Sequence, residues 1–345
     1  MDSSDAGITP HRTALEKVAS SFAAENIVVH FDVGDLFHQA EGVSPADHDL
    51  GGGDRVIFRQ YTPYSFNQGV ESLFHYKMAN FDMRRKPIFH YMLMANSRNV
   101  DGSAGSSGVA EINGNDLMIS LGNWGLSLDN QISTNLAYNY QAATIMHELG
   151  HNLGLDHGGN NAVNYKPNHL SIINYLYQLR GLATIGNNEG DRYYSSRYRN
   201  NPNCGVQTAD LINGPQGSPD NFVMSFSHGL GNALDEANIN EANGLGYPGS
   251  TAIDYNCNLD LTETLSQDTN GDSNISTLSD VDEWSLIELR FYTFFSGNRL
   301  GINTVQNDQS DVSQVPVQHI IEEQAPPRYL LEEIKAVRTS QGENP

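Results

Sequence analysis

Positive charge is scarce in this chain: lysine and arginine together number 19 against 41 aspartates and glutamates, for a formal net charge of -22. A surface of that sign repels polyphosphates, which removes nucleic acid from the expected partners and leaves solvation, with carboxylates gathered around calcium, as the reading of the acidity. Long apolar runs are missing as well. No stretch approaches the roughly 20 apolar residues that cross a bilayer, so membrane insertion is not expected. Residues 1–30 lack the basic and apolar blocks of a signal peptide, as would a secreted protein whose leader had been removed. Cysteine is nearly absent. Cys204 and Cys257 are the only two, and spacing alone leaves open whether they form a bridge or remain thiols.

Glycine, by contrast, is plentiful, with 32 among 345 residues. The abundance of Gly, Asn and Ser points to a loop-rich globular protein rather than a coiled coil or a disordered chain, and the length suits one large domain or two smaller ones. Residues 10–26 read as a helix with Leu15, Val18 and Phe22 on one face, and residues 27–31 as a buried strand. A second helical pattern covers about residues 67–83, with Val70, Leu73, Phe74 and Met78 spaced by three and four. Residues 87–94 and 115–121 read as strands separated by a Gly/Ser-rich turn. Residues 141–153 place Ala142, Ile145, Met146, Leu149 and Leu153 on the apolar face of a further helix. Beyond residue 158 regular signals thin, returning as a helix near residues 282–295 and as a short amphipathic stretch over 329–337. The expected class is α+β, with an α/β-type upper half.

The chemistry lies in residues 147–157, which read HELGHNLGLDH. On a helix, positions i and i+4 lie one turn apart, so His147 and His151 can aim their imidazoles at one ion. Catalytic zinc takes three protein ligands and keeps one position open for water. Gly154 can adopt a left-handed conformation that ends the helix and turns the chain, bringing His157 to the same metal. Glu148, next to the first ligand, is placed to take a proton from a water whose pKa the metal lowers to about 7.

This string matches the elongated HExxHxxGxxH motif, and on it the chain resembles the metzincin clan of zinc endopeptidases. The resemblance implies zinc held by His147, His151 and His157, with Glu148 as general base and acid. It also implies a tight turn beneath the zinc that normally contains methionine; the counterpart here is residues 171–175 (SIINY), with Ile173 in the methionine position. Tyr175 then corresponds to the tyrosine that stabilises the oxyanion in astacin-like and serralysin-like members. The implied fold is a twisted mixed sheet with a backing helix and the active-site helix, above an irregular lower half, the zinc cleft lying between. Residues 1–157 would form the upper subdomain, 158–301 the lower, and 302–345 a C-terminal tail or docking helix. Substrate, a protein or peptide, would lie extended along an edge strand, for which residues 108–112 are the candidate. A secreted location follows from the same resemblance. No cysteine precedes the zinc motif to cap the metal as a latency switch, so an inhibitory prosegment would lie outside the sequence.

Residues 268–280 (DTNGDSNISTLSD) carry oxygen ligands at alternate positions, Asp268, Asn270 and Asp272, with Asp280 able to close a slightly lengthened loop. That pattern suits a structural calcium ion, although Ser273 stands where an EF-hand-like turn expects glycine. Two other functions compete with an endopeptidase: a non-catalytic homologue that binds peptide or calcium, and a zinc hydrolase of non-peptide substrates.

Overall fold

The apolar spacing at the start of the chain is realised as α1 (Arg12–Ala24), whose Leu15, Val18 and Phe22 are buried. The computed structural model describes residues 6–42, 44–65, 70–187, 189–198, 201–204, 222–287, 289 and 320–342. Short helices α2 (Leu36–Glu41), α3 (Pro45–His48) and α4 (Leu73–Asn80) follow. A sheet is then built from β1 (Tyr91–Met94), β2 (Gly108–Glu111) and β3 (Asp116–Ile119). Next comes α5 (Gln131–Asn152), about 33 Å long at 1.5 Å per residue. It begins ten residues before the apolar pattern suggested. Asn130 sets the start: its extended backbone and side-chain oxygen, accepting from the N–H groups of Ile132 and Ser133 at 2.9 and 3.0 Å, make an N-cap.

The sheet order is β1-β3-β2-β8, where β8 is Ile320–Glu322. β1 pairs parallel with β3, while β2 runs antiparallel to β3 on one side and to β8 on the other. Helices α1 and α5 pack with the sheet around one apolar core that includes Leu15, Phe22, Leu117, Ile119, Leu136 and Ile145. The C-terminal helix α7 (Arg328–Ser340) joins this core through Leu330 and Ile334. The mixed helix-and-strand content with a small mixed sheet is compatible with the α+β expectation.

The lower half has a separate, tyrosine-rich core around Leu176, Tyr177, Tyr193, Leu245, Ile253 and Tyr255. It includes α6 (Gly190–Arg197) and two small ladders, β4 (Leu234–Asp235) with β7 (Thr277–Leu278) and β5 (Ile239–Asn240) with β6 (Thr264–Leu265). Cys204 and Cys257 are joined in a disulfide across 53 residues, a constraint worth about 4 kcal/mol in the chain-entropy picture.

Four expectations need correction. Residues 27–31 are extended but pair in no sheet: Ile27, Val29 and Phe31 turn toward the core while Val28 is 74% exposed, so the apolar run has one inward face. In the second helical pattern Met78 and Val70 are exposed, and the inward positions of α4 are Leu73, Tyr76 and Lys77. Lys77 is buried because its ammonium meets the Asp116 carboxylate on β3. The strand expected at 87–94 is confined to Tyr91–Met94. Of the helix expected over 282–295, residues 288 and 290–295 lie outside the described residues, and 283–286 form a turn.

Candidate metal centre

Helix α5 fixes the first two imidazoles, and the backbone fixes their protonation. His147 Nδ1 lies 2.9 Å from the Ile172 carbonyl oxygen and His151 Nδ1 lies 2.7 Å from that of Leu155. A carbonyl only accepts, so each Nδ1 carries the proton and each Nε2 presents a lone pair. Those two Nε2 atoms are only 2.9 Å apart. Gly154, at φ +104, ends the helix as the motif required, with its N–H and that of Leu155 bonded to the His151 and Gly150 carbonyls. The turn carries His157 round until its ring centroid stands 4.9 Å from that of His151 and 5.4 Å from that of His147.

A fourth group completes the cluster, and sequence reasoning missed it. Glu323, one residue past β8, is buried, and its Oε1 lies 2.7, 3.7 and 3.5 Å from the Nε2 atoms of His147, His151 and His157. Burial alone would raise its pKa; the three imidazoles hold it well below the usual carboxylate range. Nothing local marks Glu323 as a ligand, since IEEQAPP reads as a polar stretch before a helix.

The ligand atoms of these four residues lie within 4.8 Å of one another. Bonds of 2.0–2.1 Å at tetrahedral angles would separate ligand atoms by roughly 3.3 Å, and four of the separations here, 2.7 to 3.7 Å, bracket that value. The His157 Nε2 has no hydrogen-bond partner among the described residues. One proton could bridge one pair of these acceptors; a divalent cation satisfies all four together. The donor set fits a metal ion.

Glu148, on the same turn of α5, is fully buried, and neither carboxylate oxygen has a hydrogen-bond partner among the described residues. Burial, and then the charge of Glu323, push its pKa well above the usual carboxylate range. Gly108, at the start of β2, makes room for it: a Cβ there would lie 2.2 Å from Glu148 Oε1 and 2.7 Å from its Cδ. This close approach went unread in the sequence, where Gly108 stands as the start of the candidate substrate strand 108–112.

Below the cluster, residues 171–175 form the expected tight turn. Asn174 organises it, its Nδ2 donating to the Lys166 and His169 carbonyls and its Oδ1 accepting from the Leu176 N–H. Ile173 is fully buried beneath α5, where a Cβ on Gly150 would meet its Cδ1 at 3.0 Å. Tyr175 is brought to the cluster, its ring centroid 4.3 Å from that of His157 and 5.7 Å from that of His147. Burial, then the charges of Glu323 and Glu148, raise its hydroxyl pKa far above the usual value.

The four calcium candidates are not brought together as one shell. Asp268 accepts from the N–H groups of Gly271 and Ser273, Asn270 from that of Asp272, and Asp272 from that of Asn274, all within the loop. A carboxylate from elsewhere braces the loop: buried Glu236 accepts from the Thr269 N–H and hydroxyl and from the Ser276 N–H. Asp280 belongs to a different network, accepting from Ser227, Gly231 and Tyr247 and facing His169 Nδ1 at 2.7 Å. Glu283 faces the other nitrogen of that ring at 3.0 Å. Burial opposes charge on His169, but its two carboxylate partners prevail and raise its pKa.

Compared with known proteins, the chain matches no family model, no curated protein and no solved structure. Among the described residues no helix is long and apolar enough to cross a membrane.

Proposed function

We propose that this chain is a zinc-dependent endopeptidase of the metzincin type. The observation that carries the reading is the set of three imidazoles, two with Nδ1 tied to backbone carbonyls and Nε2 turned inward, beside the buried carboxylate of Glu148, which has no hydrogen-bond partner among the described residues. Three nitrogen ligands favour zinc, which when bound supplies Lewis acidity and a water acidified to about pKa 7. Glu148 takes a proton from the attacking water and returns it to the leaving amine, a role for which its place next to His147, fully buried beside the cluster, suits it. Tyr175 donates a hydrogen bond to the oxygen that gains charge as the carbonyl is attacked. The substrate, a protein or peptide, lies extended and antiparallel to β2, with main-chain hydrogen bonds supplying affinity. Gly154 in its left-handed turn, Ile173 under the helix and β2, antiparallel to β3 and covered on its other side by β8, support the metzincin resemblance. The Cys204–Cys257 disulfide supports a secreted or otherwise oxidising location.

The test is cleavage of a quenched, denatured-protein substrate by the wild type, by Glu148→Ala, and by wild type with a zinc-selective chelator, with the zinc content of each. We expect stoichiometric zinc in wild type and Glu148→Ala, and loss of cleavage in both controls. Cleavage by zinc-loaded Glu148→Ala at the wild-type rate would overturn the assignment. A second reading, a metal-holding protein without turnover, is favoured by one observation, the carboxylate of Glu323 among the three imidazoles. It predicts zinc without hydrolysis even when that carboxylate is removed.

A further inference from the structure

If the cleft is that of a peptidase, part of the chain itself stands where substrate would. β8 runs antiparallel to β2, with Glu322 opposite Val109, Ile321 opposite Ala110 and Ile320 opposite Glu111. An extended peptide bound by strand addition would need this same edge. Continuing that register by one residue brings Glu323 level with Gly108, the residue against which the Glu148 side chain packs. The Glu323 carboxylate then enters the three-imidazole cluster, in reach of all three Nε2 atoms.

The segment is held on both sides of that contact. The Glu323 charge and the Gln324 backbone both act on the Tyr175 hydroxyl, so the group assigned to the oxyanion faces this segment. Tyr165 donates to the Gln324 side chain at 3.5 Å. Beyond it α7 sinks Leu330 and Ile334 into the upper core. Buried Glu333 faces Arg180 at 3.5 Å, and Arg338 donates to the Gly125 carbonyl at 3.1 Å.

We propose that residues 320–324 are a built-in occupant of the cleft: β8 fills the substrate edge of β2 and Glu323 serves as a fourth metal ligand, which keeps the folded chain latent until this segment is displaced. The inference rests on the peptidase reading for its consequence, though not for its geometry. A catalytic zinc site needs one position for water, and a carboxylate there excludes it. Because the occupant is tethered, it competes at an effective concentration on the order of millimolar. A free substrate must overcome that competition. A latency device is thus placed within this sequence, downstream of the motif, where none was expected.

The test uses the full chain, loaded with zinc or with cobalt(II), as wild type and Glu323→Ala. Acetohydroxamate, a small metal-binding probe that needs no strand contact, is titrated into each. Glu323→Ala should bind it at least roughly tenfold more tightly, show an altered cobalt visible spectrum, and cleave the denatured-protein substrate faster by a similar factor. In the wild type, saturating acetohydroxamate should release the segment, seen as faster amide hydrogen exchange in residues 320–324. That measurement stands even if the variant fails to fold. Equal affinity, an unchanged cobalt spectrum and unchanged exchange would overturn the inference. Tighter binding without any hydrolysis would uphold the occupant and remove the peptidase reading, and equal hydrolysis by both proteins would overturn latency.

Discussion

The sharpest steric demand in the cleft is at Gly108. A Cβ at this position would sit 2.2 Å from Glu148 Oε1, 2.7 Å from Cδ and 2.8 Å from Cγ, whereas ordinary contact begins at 3.4 Å. Restoring contact in Gly108→Ala requires the Glu148 carboxylate to move by about 1.2 Å, since β2 is held between β3 and β8 and cannot retreat. A misplacement of about 1 Å in a reacting group costs on the order of 100-fold in rate. Overpacking of this kind costs stability too, about 1–3 kcal/mol. The three atoms nearest the added methyl all belong to Glu148, so zinc should stay stoichiometric. The assay is kcat/KM on the quenched denatured-protein substrate, measured in a Glu323→Ala background so that displacement of the tail does not set the rate, with zinc content and a thermal melt alongside. A fall of about 100-fold with zinc retained is expected. A zinc-loaded Gly108→Ala protein within threefold of its parent would refute the reasoning, because either Glu148 is not held against β2 or it is not the base.

Three further outcomes follow from buried groups elsewhere. Lys77→Met removes the ammonium that faces the buried Asp116 carboxylate, so unfolding in urea should show a loss of about 3–5 kcal/mol, and a loss below 1 kcal/mol would mean the pair is not dry. Lys166, whose ammonium donates to the Gly158 and Ser279 carbonyls, is pushed down by burial to about 8. Between about pH 8 and its unfolded pKa near 10.4 the unfolded chain binds the extra proton, so this group's contribution to stability rises with pH across that window. The difference in urea stability between wild type and Lys166→Met should show that slope and be flat below pH 7. Gly150→Ala gains about 1 kcal/mol of helix propensity, but its methyl would meet Phe226 at 2.9 Å and Ile173 at 3.0 Å. It should be net destabilising by thermal melt, with Ile173→Val, which removes the contacted Cδ1, restoring part of the loss.

Features encoded within a few residues were legible. The i, i+4 histidines, the left-handed Gly154 and the return of His157 depend on one helix end and one turn, and the structure assembles them as the spacing demands. The tight turn at 171–175 was placed by the resemblance, and in the structure Ser171 and Asn174 make its hydrogen bonds locally. The calcium loop shows the opposite case. Alternating Asx side chains have two uses, ligating a cation or capping nearby N–H groups, and here each caps an N–H two to five residues on. Glu236 then supplies the bracing carboxylate from a distance that no local pattern records. Residues 27–31 failed for a related reason: an apolar pentad states a preference for extended backbone, but whether it finds a ladder partner is settled by the rest of the sheet.

What closes the cleft is of this non-local kind. The three histidines and Glu148 define a chemistry and say nothing about access, because access is set by whichever segment takes the free edge of β2. That edge is unpaired backbone, and the strand that satisfies it here carries a carboxylate at the level of the metal cluster. The same main-chain groups and the same ligand position cannot serve β8 and a substrate at once. On the proposed reading, the histidine motif and Glu323 form a single switch in physical terms, one half written in eleven contiguous residues and the other only in the fold. Removing Glu323 tests the second half without altering any residue of the first.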